Sequence, residues 1–324
     1  MIGFKRDEIK KYYIDYLTLA AYYENNCSVD KVTDTQIESM LDRLAKNYDG
    51  YCFDEDYEKK VFSTWSVNTF LQSVVDKKKV QFGEYWYDNG GLPSILVNYL
   101  KTHELNIFEY LDKDKFLKVS SDDFKNPTAL TTINQNVLMC QTGYLTLRSD
   151  LNKTSTVALG IPNGEIYKAL NRLLANNIFK GNTDITDDYG RSLLEVGTVD
   201  DIINLFNSAL NSVSYDNYPI VSESSVQNML KLYLLGAHQK VLSEVHEAKG
   251  RADLVVNTDN RRIVFEFKYA KNETEAKSKL LDAVEQIKTR DYGNIVPKKT
   301  ELLRIAAVFN AAPKVRSFTE YQAV

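Results

Sequence analysis

Along the first two thirds of the chain, apolar positions recur at intervals of three and four, the period of a helix with one buried face. Such spacing predicts helices over Asp34–Asn47 (Ile37, Met40, Leu41, Leu44), Trp65–Val75, Leu92–Leu100 and Asn163–Ile178. Asp34 and Asn163 are the expected N-caps, because a short oxygen-bearing side chain can accept an N–H that the helix start leaves unpaired. Between the last two helices, Tyr144–Arg148 and Thr156–Leu159 alternate as a short hairpin around Asp150–Lys153 would. Tyr48-Asp49-Gly50-Tyr51 has turn composition, and structural punctuation is its simplest role.

Beyond the polar, turn-rich stretch Asn211–Pro219 the pattern becomes helix, strand, hairpin, helix, strand. Ser222 is the expected cap of a helix in which Val226, Leu230, Leu234 and Ala237 form one apolar stripe, with Glu223 on the same stripe. A strand near Val241–Val245 follows. Ala252–Asn257 and Arg261–Tyr269 then flank Thr258-Asp259-Asn260, a tight turn by composition because Asp and Asn tolerate positive φ. An amphipathic helix is expected over Glu273–Thr289 (Ala276, Leu280, Ala283, Ile287). The fold class is therefore α+β / α/β: a mostly helical domain with a small β-hairpin over 1–215, then an α/β domain over 216–324.

Charge supports that boundary. The 324 residues carry 40 basic and 44 acidic side chains, a net −4, yet the chain from Ile220 onward is +4 and the preceding part −8. A nucleic-acid site in such a chain must concentrate its positive charge locally. Residues 1–20 mix Lys and Asp with Tyr, unlike a secretory or transit leader. The longest uncharged run, Asn126–Leu147, is crowded with Asn, Gln and Thr, so no membrane span is expected. Three scattered cysteines, Cys27, Cys52 and Cys140, suit a reducing, cytoplasmic setting and offer no zinc spacing. His103, His238 and His246 form no ligand pattern. No Gly-Lys pair occurs, so a Walker phosphate loop is excluded and no nucleotide-binding residues are assigned.

The hairpin carries the chemistry. If Asp259 and Asn260 are the two loop residues, paired positions sum to 519, which sets Asp253 opposite Glu266 and Arg251 opposite Lys268. Asp253, Glu266 and Lys268 then share one face, and Leu254, Val256, Ile263, Phe265 and Phe267 form the apolar other. Two opposed carboxylates repel unless something neutralises them, and a divalent cation does. Mg²⁺ takes one or two carboxylates and leaves positions for phosphate oxygens, while a neighbouring Lys stabilises charge developing on phosphorus. Glu223, a carboxylate on a core-facing stripe, also needs a partner, a proton or a metal. Any single one of these charges is commonplace on a solvated strand; their conjunction is not.

At these residues the chain resembles the PD-(D/E)XK nuclease superfamily: Gly250-Arg251-Ala252-Asp253-Leu254-Val255-Val256 and Phe265-Glu266-Phe267-Lys268 read as its Asp…Glu-x-Lys motif. Asn47-Tyr48-Asp49-Gly50-Tyr51, Trp65-Ser66-Val67, Tyr85-Trp86, Gln141-Thr142-Gly143-Tyr144-Leu145 and Ile161-Pro162-Asn163 are similar to the middle region of a bacterial family joining an AAA-ATPase-like half to such a nuclease. The resemblance implies a restriction-endonuclease-like core with a mixed sheet flanked by helices. It implies Asp253 and Glu266 as ligands of Mg²⁺ or Mn²⁺, Lys268 as catalytic lysine and Glu223 as the acidic residue of the first core helix. Relatives begin with a P-loop ATPase core and Gly3–Glu8 resembles the point just after it, so ATP binding does not carry over and a P-loop partner or half supplied separately is implied. Relatives often have His where this chain has Gln227. Gln286 matches a glutamine of the family, and Glu247 is a weaker acidic candidate than Glu223.

The expected function is Mg²⁺-dependent hydrolysis of phosphodiester bonds in nucleic acid, DNA first. Lys249, Arg251, Arg261, Arg262, Lys271 and Gln286 are the candidate contacts, mainly to phosphates. Many enzymes of this fold cut both strands as homodimers. Competing readings are a catalytically silent module that binds nucleic acid or protein, and an ATPase fragment completed by its missing half.

Overall fold

The computed structural model describes residues 3–88, 94–103, 105–149, 155–179, 189–237, 239–247, 250–290 and 300–324. Contacts within the chain gather it into two compact units, residues 1–170 and 171–324.

The first unit opens with β1 (Gly3–Phe4), α1 (Arg6–Tyr12), α2 (Ile14–Asn25), α3 (Asp34–Tyr48), β2 (Phe62–Ser63) and α4 (Thr64–Lys77). The periodic residues Ile37, Met40, Leu41 and Leu44 of α3 are buried together with Leu17 of α2 and Val67, Phe70 and Val74 of α4. Thr33, not Asp34, caps α3: its side chain accepts from Gln36 N while the Gln36 side chain reaches back, a reciprocal pair that Asp34 is one residue too late to make. Next come α5 (Tyr85–Asp88), α6 (Ser94–Leu100), β3 (Leu117–Ser120), α7 (Ser121–Lys125), α8 (Gln135–Gln141), β4 (Thr146–Leu147), β5 (Thr156–Gly160) and α9 (Gly164–Ile178). The expected hairpin is present as antiparallel β4 and β5, and β3 joins it on the other side of β5; its loop at Asp150–Lys153 lies outside the described residues. Asn163 caps α9 as expected, accepting from Ile166 N at 3.0 Å.

Several of the quoted motifs meet in this unit. Asn163 Nδ2 donates to Asp49 O at 2.9 Å, Trp65 Nε1 to Tyr85 O at 3.1 Å, and the Trp86 ring stands edge-on to Tyr144. At their centre Glu165, 2% exposed, accepts from Ser66 Oγ at 2.7 Å and Trp86 N at 2.8 Å. Burial pushes this carboxyl up to about 7; the two donors oppose the shift and the charge of Glu84 adds to it. Gly50 sits at φ +97°, where a Cβ would lie 2.3 Å from the Pro162 carbonyl oxygen. Gly50→Ala is expected to cost about 2–4 kcal/mol through strain and collision, read as a lower urea midpoint at unchanged slope.

The second unit begins in the last turns of α9 and continues with α10 (Tyr189–Val196), α11 (Val199–Asn211), α12 (Glu223–Gly236), β6 (Lys240–Glu247), β7 (Gly250–Asn257), β8 (Arg261–Ala270), α13 (Glu273–Arg290), β9 (Glu301–Asn310) and β10 (Ser317–Ala323). The strands form one mixed sheet in the order β10-β9-β8-β7-β6, with β8 and β9 parallel and the other pairs antiparallel. A parallel pair needs a crossover, and α13 supplies it. Ala283, Val284 and Ile287 of α13 pack on Ala252, Val255, Val264 and Ala306. Phe206 of α11 packs on Phe265, and Asn207 hydrogen-bonds both the N–H and the carbonyl of Phe318 where β10 is bulged. Residues 171–215 thus group with the sheet, whereas the composition-based boundary follows Tyr215. α12 starts at its expected cap, with Ser222 accepting from Ser225 N, and buries Val226, Leu230, Leu234 and Ala237.

The β7–β8 turn holds the expected two loop residues, but neither Asp259 nor Asn260 has positive φ. Thr258 closes it instead: its N–H donates to Arg261 O and its Oγ1 accepts from Arg261 N at 3.0 Å. The strand β10 is absent from the sequence-based element list, because Ser317-Phe-Thr-Glu-Tyr-Gln-Ala holds a single aliphatic residue and only Phe318 is buried.

Candidate active site at the fork of the sheet

The pairs Leu254–Phe265, Val255–Val264, Val256–Ile263 and Asn257–Arg262 all obey the register fixed by the turn. The ladder then stops. Asp253 and Glu266 are not backbone partners, nor are Arg251 and Lys268; from this point β7 continues beside β6 and β8 beside β9. At the fork Asp253 Oδ2 accepts the Phe267 N–H at 2.8 Å, a side chain taking the place of the next rung. Directionality of the strands does the rest, since Glu266 and Lys268 leave β8 on the face that Asp253 shares.

Lys268 Nζ lies 2.7 Å from Glu266 Oε1 and 3.5 Å from Glu223 Oε1. Glu266 is 0% exposed and its Oε2 has no hydrogen-bond partner. Burial, then the charge of Asp253, pushes the Glu266 carboxyl up to about 7 against the pull of Lys268. Burial also raises Asp253, partly offset by the Phe267 N–H, the charge of Lys268 and a hydrogen bond from the Gln227 side chain. At Lys268 desolvation favours the neutral amine, but the hydrogen bond and charge of Glu266, with Glu223 and Asp253, outweigh it and hold the ammonium protonated.

Two expectations change in physical detail. The face bearing Asp253, Glu266 and Lys268 is not the exposed side of a half-buried ribbon: Val255 and Val264 on it lie beneath α13, so the carboxylates sit in a packed layer. Glu223 is not in the apolar core of α12. It is the first helical residue, with its side chain 40% exposed, and it meets Lys268 at the rim. Gln227, one turn on, faces Asp253; its spacing of four from Glu223 is the signal that places both on one side of the helix.

The basic candidates are dispersed. Arg261 is 8% exposed, with its guanidinium paired to Glu301 at 3.0 Å and donating to Gly197 O at 2.8 Å. Arg262 donates to Asn257 Oδ1 at 3.3 Å. Both stand at the turn end of β8, about 13–17 Å along the strand from Glu266. Lys271 is exposed just past the opposite end, near Lys268, and Gln286 is half-buried on α13. Lys249 and His238 lie outside the described residues, as do the side chains of Arg251, His246 and Glu247.

Among the described residues, no group of three or more His, Cys, Asp or Glu side chains is placed to hold a metal ion. Mg²⁺ needs fewer, since it is commonly bound by one or two carboxylates with water and phosphate completing its shell. The partnerless Glu266 Oε2 beside Asp253 is the kind of oxygen such an ion would satisfy, so the pair fits a divalent cation.

Residues 221–318 match the PD-(D/E)XK nuclease superfamily. The matched segment runs from the residue before the α12 cap through Phe318, and so takes in Glu223, Asp253, Glu266 and Lys268 together. PD-(D/E)XK nucleases generally use divalent metals. The superfamily match spans under a third of the chain. No curated protein and no solved structure matches the chain. No helix among the described residues is long and apolar enough to cross a membrane.

Proposed function

We propose that the C-terminal unit is a metal-dependent nuclease that hydrolyses phosphodiester bonds, in DNA first, at the fork between β7 and β8. The observation that carries this reading is the fully buried Glu266, with one oxygen on Lys268 and the other without a partner, beside a second carboxylate. Asp253 and Glu266 would hold the cation, Mg²⁺ or Mn²⁺, which when bound neutralises phosphate charge and acidifies water. Lys268, held protonated between Glu266 and Glu223, stabilises negative charge that grows on the phosphate oxygens. The Phe267 N–H and Gln227 fix the direction of Asp253.

Gln227→Ala is expected to leave the fold intact and reduce cleavage about tenfold, because a supporting residue that orients a ligand contributes less than the ligand. Metal titration of the rate checks it: the variant should need more Mg²⁺ for half-maximal cleavage.

The sequence resemblance of the first unit to the region that follows a P-loop core leads us to propose an ATPase-like helical module with a P-loop protein as partner. The direct test of the nuclease is incubation of plasmid, single-stranded circular DNA and structured RNA with Mg²⁺, Mn²⁺ or EDTA. Metal-dependent cleavage of any substrate is the expected result. No cleavage of any, together with no Mg²⁺ heat by calorimetry, would instead favour the silent binding module.

A further inference from the structure

A cavity of about 280 Å³ opens in the second unit between the end of α11, the segment before α12, and the link from β9 to β10. Tyr215, Tyr218, Phe309, Lys314 and Arg316 line it, and among its described lining residues there is no carboxylate. The guanidinium carbon of Arg316 lies over the Tyr215 ring, 3.4 Å from the centroid. Its backbone is left-handed at φ 43°, uncommon for a residue with a long side chain. Its Nε is buried with no hydrogen-bond acceptor. A planar donor stacked in place with an unmet N–H, a second cation beside it and aromatic walls together describe a receptor for an anion joined to a flat apolar group.

The cavity also stands at the right end of the sheet. Phe309 is paired with Tyr269 and so shares the face of Tyr269 and Phe267, opposite that of Glu266 and Lys268, while Ile220 in the lining precedes Glu223 by three residues. We infer that this cavity is a nucleotide subsite: the phosphate meets Arg316 and Lys314, and the base lies against Tyr218. The size admits one nucleotide and no duplex. The inference goes beyond the nuclease reading, and it can be tested without cleavage.

The test is calorimetric titration of the full chain in EDTA with thymidine 5′-monophosphate, thymidine and inorganic phosphate, each alone. The nucleotide should bind, and more tightly than either fragment. Arg316→Asn, chosen because Asn accepts left-handed backbone, and the exposed Lys314→Gln should each weaken it about tenfold or more, with thermal unfolding unchanged. Absence of nucleotide binding by the wild type, or equal affinity in wild type and both variants, overturns the subsite. Phosphate binding as tightly as the nucleotide overturns the base contact. Because no metal is present, failure here leaves the cleavage assay to stand or fall by itself, and loss of cleavage with nucleotide binding retained removes only the nuclease reading.

Discussion

Lys268→Ala should lose metal-dependent cleavage by roughly 10²–10³-fold while the chain stays folded, the size expected when one donor to developing transition-state charge is removed. The ammonium contacts Glu266 and Glu223, the two carboxylates that hold it at the site. Folding survives because Glu266, already raised to about 7, can take up a proton once its cation is gone. Asp253→Asn should lose comparable activity for a different reason. Its remaining amide oxygen can still accept the Phe267 N–H, so the rung is kept while the negative charge a cation requires is gone. Plasmid relaxation in Mg²⁺ and Mn²⁺, beside thermal melts of each variant, checks both. Cleavage equal to wild type in folded Lys268→Ala would remove the proposed site.

The second large effect belongs to Glu165. Glu165→Ala leaves the Ser66 hydroxyl and the Trp86 N–H without their acceptor in a buried place, and a loss of about 3–5 kcal/mol is expected. The wild type should also show a pH signature. The folded carboxyl is raised from its ordinary 4.5 to about 7, so its contribution is fully present below 4.5 and is lost as pH rises through 7. The unfolding free energy should therefore fall by about 3 kcal/mol between pH 4.5 and 8, and that portion of the slope should vanish in Glu165→Gln. The chain has two tryptophans, Trp65 and Trp86, both in the first unit, so urea titration followed by tryptophan emission reads this unit directly. A wild-type slope matching that of Glu165→Gln would show that burial does not hold the proton.

Much of this architecture was legible in the chain because it rests on local rules. Helix periodicity placed α3, α4, α9, α12 and α13, and the Asp259-Asn260 turn set the register of β7 and β8, from which the shared face of Asp253, Glu266 and Lys268 follows. What was not legible depends on distant partners. Nothing near Arg261 announces that Glu301 and Gly197 will enclose it, and nothing in β8 tells that α13 will cover the face of Glu266. Gln227 was marked only as standing where relatives often have His, because the helix alone does not say that its amide meets Asp253, although its spacing from Glu223 pointed there. The edge strand β10 escaped because its burial comes through Phe318 and its backbone is held by Asn207, two effects without a periodic trace.

The way Asp253 bonds to Phe267 N–H has an evolutionary corollary. If Asp253 holds a cation as proposed, it is at once a reagent and a stitch in the sheet and is shielded from drift twice over, whereas Glu266 and Lys268 make no such backbone bond. Descendants that abandon catalysis should then shed the glutamate and the lysine early and keep the aspartate, or an asparagine, long after its first purpose is gone.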